Sequence, residues 1–188
     1  MSAGSTGTFF GQVFKRTGAV FSGGGRRLYE GGLSFGASPG LGVNEGDVGF
    51  GSSNVYLAEI GGITACTAAC AGHEALKNSS FDKYVVKGRL TLRGTLKLAS
   101  WNDFVARPGM QFYLLDWGSV EGSFASIDTS GLKLAAGSQL DLSQLYTTGE
   151  VRVLAAVPQP ASWALMTAGS LGVGLMRRVR RPSNGQPA

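Results

Sequence analysis

The sequence predicts an all-β fold: a β-solenoid or β-helix-like body, with a β-sandwich as the alternative, followed by a single C-terminal hydrophobic helix. Three observations predict it. The 188 residues include 30 glycines, well above the average usage of about 7%, and these follow no Gly-X-Y period. Short apolar runs recur every 10 to 15 residues or so and end at glycine corners. No part of residues 1–156 shows a long, capped helical period. Apolar residues make up 43% of the chain, more than a disordered chain carries. Glycine density and loosely repeating turns favour the solenoid over the sandwich.

The elements follow in order. Residues 1–28 read as an irregular Gly-rich segment in which Phe14, Val20 and Leu28 mark short strands or a partial repeat. Residues 29–156 read as a β-rich body. Its first part alternates apolar pieces with corners such as Ser38, Pro39 and Gly40, where proline presets φ and glycine takes the position other residues avoid. Val55, Leu57 and Glu59 share one parity and Tyr56, Ala58 and Ile60 the other. Both sets are largely apolar, as in a strand buried on both faces. Residues 64–80 read as an inserted loop. In VVKGRLTLRGTLKL, Leu90, Leu92, Leu96 and Leu98 share the parity opposite Arg89, Thr91, Arg93, Thr95 and Lys97, a period-two strand signal. Arg107, Pro108 and Gly109 form a turn. Residues 110–117 predict one apolar strand broken at Gly118, Phe124 and Ile127 open a further piece, and Val151 to Leu154 end the body.

Charge narrows the function classes. Net charge is +5, but Arg177, Arg178, Arg180 and Arg181 supply four of the 17 basic residues, and the other 13 face 12 acidic ones. A near-neutral body lacks the basic face that nucleic-acid binding requires, so no nucleic-acid partner is expected. The stripe of Arg89, Arg93 and Lys97 reads as a solvated strand face that blunts an edge. Cys66 and Cys70 are spaced for a small disulfide loop in an oxidising compartment, or stand as two idle thiols. Adding His73, the single histidine, matches no standard zinc spacing, so no metal and no cofactor are expected. Asn78, Ser79 and Ser80 fit a glycosylation sequon, although a polar turn before a strand is the simpler reading.

Catalytic patterns are sparse. No Gly-x-Ser-x-Gly elbow surrounds a serine. Gly23, Gly24 and Gly25 precede Arg26 and Arg27 without the lysine and helix of a phosphate loop. Glu59, Asp82, Asp116 and Asp128 are the carboxylates available for glycosidase chemistry, and nothing in the sequence pairs them. Trp101, Phe104, Tyr113 and Trp117 offer a sugar-stacking platform if exposed, with core packing the simpler reading. The chain is therefore expected not to be an enzyme.

The tail is distinctive. Val157, Pro158, Gln159, Pro160 and Ala161, then Trp163, lead into residues 161–176, which hold no charge and stop at Arg177, Arg178, Arg180 and Arg181. As a helix these 16 residues reach about 24 Å against a hydrocarbon core of about 30 Å, a marginal span of the inner membrane. The arginines are expected to stay on the cytoplasmic side, with the body on the periplasmic side.

This stretch resembles the PEP-CTERM domain of Gram-negative bacteria: a proline motif, a Gly-rich apolar helix and an arginine cluster, in that order, over about 25 residues (157–181), followed by a short tail, 182–188. The family's glutamate is replaced by Gln159. More loosely, Phe81 to Gly88, Leu90, Leu92, Leu96, Phe112 and Phe124 resemble autotransporter-like β-helix repeats. The resemblance implies a substrate of an exosortase, a membrane enzyme with a cysteine nucleophile, which would cleave near the Pro-Gln-Pro motif and release the body or transfer it to the cell surface or extracellular matrix. It also implies an association with exopolysaccharide and biofilm. The expected function is thus an exported, surface-sorted structural or adhesive protein. The alternatives are a polysaccharide-binding or polysaccharide-active protein with the same signal, or a fragment of a longer one. MSAGSTGTFFGQVFKR lacks the basic and apolar regions of a secretory signal, so the address for export is expected to lie further upstream.

Overall fold

The strands of this chain bond mostly to strands far from them in sequence. The computed structural model describes residues 1–16, 18–36, 39–63 and 80–157, and residues 1–156 make one compact unit. The strands are β1 (Thr6–Phe9), β2 (Val13–Lys15), β3 (Val20–Phe21), β4 (Arg26–Tyr29), β5 (Gly32–Phe35), β6 (Leu41–Asn44), β7 (Val48–Phe50), β8 (Val55–Ile60), β9 (Lys83–Leu92), β10 (Thr95–Ser100), β11 (Gln111–Tyr113), β12 (Leu115–Gly122), β13 (Ser126–Gly131), β14 (Ser138–Asp141) and β15 (Glu150–Ala155). Early in the chain each strand pairs in parallel with the strand three further on: β1 with β4, β2 with β5 and β3 with β6. A parallel sheet of five runs β13-β10-β8-β5-β2, and a sheet of seven runs β1-β4-β7-β9-β6-β3 with β12 added beside β9.

Register aligns the inward side chains into columns. Val13, Leu33, Tyr56, Leu96 and Ile127 stand over one another through successive pairings. Phe9, Tyr29 and Phe50 form another column. Tyr29, Phe35, Phe50, Tyr56 and Tyr84 meet at ring centroid distances of 4.9 to 6.4 Å, within the range of favourable aromatic pairs. The leucine parity falls inward as its alternation requires: Leu90, Leu92, Leu96 and Leu98 are buried while Arg89 and Arg93 are exposed.

The expected fold class, a β-solenoid-like or sandwich body followed by a hydrophobic helix, is overturned. The arrangement is mixed. The three-strand period fails at β9, a single ten-residue strand that pairs with both β6 and β7 and with β12. Later the chain doubles back into an antiparallel sheet, β11-β15-β14. Turns with positive φ at Gly109, Gly137 and Gly149 flank this sheet, and antiparallel strands need only such short reversals. No helix occurs among the described residues, and the expected C-terminal helix over 161–176 lies outside them.

Four local expectations are corrected as well. β8 buries only one face: Tyr56, Ala58 and Ile60 are fully buried, whereas Val55 is exposed. Residues 110–117 split between two sheets, because Leu114 and Leu115 donate their N–H groups to the carbonyl of Gly149 where the chain crosses over. Gly118 does not end β12 but sits at a bulge between Trp117 and Ser119; a Cβ there would collide with the Lys87 carbonyl of β9. Gly40 is absent from the positive-φ glycines, and what it supplies is a backbone N–H to Asp82.

Candidate functional site

Four charged side chains are buried among the described residues, Lys15, Arg27, Asp82 and Glu150; Glu150 is paired with Arg152, and the other three lack an ion-pair partner. Of these three, Asp82 lies directly before β9 and in phase with Tyr84 and Val86. Its side chain is fully buried. Oδ1 accepts the Gly40 N–H at 2.7 Å and Oδ2 accepts the Glu59 N–H at 2.9 Å. One carboxyl thus joins the start of β6, the end of β8 and the start of β9. Burial pushes it up to about 8, against the two backbone donors that favour its charge, and the nearby Glu59 carboxylate adds to the rise. Burial also raises Glu59. The structure therefore brings together two of the four carboxylates named from the sequence. Asp82, however, has both oxygens engaged by backbone and faces no solvent, which makes it a clamp between strands and not an acid or base for a substrate. Asp116 and Asp128 are elsewhere, paired with Lys83 at 3.5 Å and Lys97 at 3.8 Å.

Lys15 lies on the same parity as Val13 in β2. It is 2% exposed. Nζ donates to the Tyr84 hydroxyl at 3.0 Å and lies 3.9 Å from the Phe21 ring centre, 4.6 Å from that of Tyr84, 5.3 Å from Tyr29 and 5.8 Å from Phe35. The Arg27 guanidinium, also buried, shares the Phe21 ring at 5.2 Å. Its Nη2 donates to the Ser22 carbonyl at 2.8 Å, while Nη1 is buried without a partner among the described residues. No carboxylate pairs with either cation among the described residues. A desolvated cation–π contact contributes about 2 kcal/mol, whereas an ion taken from water without a counterion loses several kcal/mol. The aromatic cage is therefore too weak to hold the charge. Burial first, and the Arg27 charge second, bring the Lys15 amine down to about 7.

Sequence reasoning missed Lys15, Arg27 and Tyr84. The signal was present: Lys15 follows Val13, and Asp82 precedes Tyr84 and Val86, each a charge in phase with apolar neighbours.

The remaining candidates separate. Of the sorting motif, only Val157 is described, and it is 80% exposed. Pro158, Gln159, Pro160, Ala161, Trp163, Arg177, Arg178, Arg180 and Arg181 lie outside the described residues, as do Cys66, Cys70 and His73. Among the described residues no helix is long and apolar enough to cross a membrane, and no three potential metal ligands converge. Two of the three cations of the basic stripe face acids: Arg89 lies 3.9 Å from both Asp47 and Glu121, and Lys97 lies 3.8 Å from Asp128, while Arg93 is exposed. The four aromatics do not form a platform. Phe104 packs edge-on to Phe112, Trp117 packs on the core, and Tyr113 is exposed. No protein-family model, curated protein or solved structure matches the chain.

Proposed function

We propose that this chain is an exported structural protein delivered to the cell surface by its C-terminal sorting segment. One observation carries the reading: the ordered succession of Val157, Pro158, Gln159, Pro160 and Ala161, an uncharged stretch over 161–176, and Arg177, Arg178, Arg180 and Arg181. An exosortase is the partner whose chemistry fits such a segment, and the inner membrane is where the two would meet. The body supports a scaffold role. Its buried Asp82 ties strands together, and its exposed charges on β9 face acids in the turn between β6 and β7 and on β12.

The test is an intact-mass measurement. The chain, fused to a Sec signal peptide, is expressed in an exosortase-bearing host and in its exosortase-deletion strain. The expected outcome is loss of the mass beyond the Pro158-Gln159-Pro160 region only when the enzyme is present. An identical full-length, membrane-held product in both strains would sink the proposal. Restoring glutamate, Gln159→Glu, is expected to raise the processed fraction if the enzyme reads the carboxylate, and to leave it unchanged if it reads the proline-fixed backbone.

A further inference from the structure

We propose that Lys15 is a proton-operated latch, holding the first tier of strands, β1 to β3, on the body when its amine is neutral and loosening it when the amine is charged. The inference is independent of the sorting segment. It rests on how the first tier is attached. Among the described residues of 1–21, Lys15 alone is buried. Of its apolar side chains only Phe9 and Val13 pack against the core, each partly buried, while Phe10 is 79% exposed, Phe14 72% and Val20 58%. Backbone pairing joins the tier along one edge of each strand only, over four residues for β1, three for β2 and two for β3. The most deeply inserted side chain of the tier is thus an amine among rings.

The surroundings of that amine make its charge state consequential. From β4 it faces Arg27 and the Tyr29 ring, from β9 the Tyr84 hydroxyl, from β3 Phe21 and from β5 Phe35. Its one hydrogen-bond partner, Tyr84, is a neutral hydroxyl, which burial keeps well above its ordinary titration range. Arg27 is the sole charged group facing it among the described residues, and it has the same sign. A proton added to Lys15 puts two like charges around one phenylalanine ring with no acid to offset them. The least costly relief is to move Lys15 into water, and β2 moves with it.

Hydrogen exchange on the full chain in detergent micelles tests this. Protection of residues 1–21, corrected for the intrinsic pH dependence of exchange, is expected to rise on the order of tenfold between about pH 7 and 8, while β9 and β10 change little. In Lys15→Met, which keeps length and apolar volume, first-tier protection is expected to be high and independent of pH. An equal pH response in the first tier and in β9 and β10 would overturn the latch, as would an unchanged response in Lys15→Met. Should that variant fail to fold, a nitrogen NMR titration of the lysine amines in the unaltered chain decides. One amine titrating near pH 7 supports the latch, and all amines titrating near 10.5 overturn it.

Discussion

Asp82 shows how one side chain replaces an extended stretch of hydrogen bonding. Its two oxygens satisfy N–H groups from strands belonging to two different sheets, Gly40 ahead of β6 and Glu59 in β8. Removing the carboxyl leaves both donors buried, and an unsatisfied buried donor costs about 1–3 kcal/mol. Asp82→Ala is therefore expected to lose about 2–5 kcal/mol, read from the denaturant midpoint. Asp82→Asn retains one acceptor oxygen and should lose clearly less. Equal losses in the two variants would mean that the site responds to volume and not to the two bonds. In the sequence Asp82 stood only as one of four unpaired carboxylates; its phase with Tyr84 and Val86 was there to be read, but its partners were not. Gly40 and Glu59 are 42 and 23 residues away, and no local pattern specifies that meeting. The same holds for Lys15 and Tyr84, 69 residues apart.

At the level of elements, legibility follows the range of the forces. The alternation of Leu90, Leu92, Leu96 and Leu98 is a local consequence of pleating, and burial follows it residue by residue. Partner choice is not local. The apolar pattern of residues 110–117 looks like one strand, yet it divides between β11 and β12 because Leu114 turns its N–H to Gly149. Nor does that pattern distinguish parallel from antiparallel neighbours, which is why the antiparallel sheet beside two parallel ones was not anticipated. Glycine corners were visible as corners, but not for what stands over them. Gly94 has φ +68° and lies against the carbonyls of Asn54 and Gly51, the latter 2.7 Å from where a Cβ would sit; Gly137 has φ +71° and open space. A left-handed non-glycine residue costs about 1–2 kcal/mol. Gly137→Ala is expected to lose that amount, and Gly94→Ala at least about 1 kcal/mol more for the displaced backbone. Thermal or denaturant midpoints of the two variants measure the difference, and equal losses would count against close approach as the reason for Gly94. Leu96→Ala, which empties a fully buried position, should lose about 2–5 kcal/mol.

For the whole molecule, Asp82 and Lys15 combine into an unusual pH dependence. Asp82 is raised from its ordinary 3.8 to about 8, so the folded state holds a proton that the unfolded chain has released. Its contribution is fully present below pH 3.8 and is lost as pH rises towards 8. Lys15 is lowered from 10.5 to about 7, so the unfolded chain holds the extra proton, and stability is regained as pH rises from 7 to 10.5. Each slope approaches about 1.4 kcal/mol per pH unit. Between pH 4 and 7 the acid's loss acts alone, between 7 and 8 the two cancel, and above 8 the amine's gain acts alone until the raised tyrosines Tyr29, Tyr56 and Tyr84 reverse it above pH 10. Glu59, also raised by burial, deepens the fall on the acid side. Most proteins are most stable at pH values of roughly 5 to 8; this one is expected to have a trough at pH 7 to 8. Urea midpoints measured from pH 4.5 to 10 should show that minimum. Asp82→Asn should flatten the limb below it and Lys15→Met the limb above it. A single broad maximum in that range, unmoved by either substitution, would show that the two groups do not titrate as their burial requires.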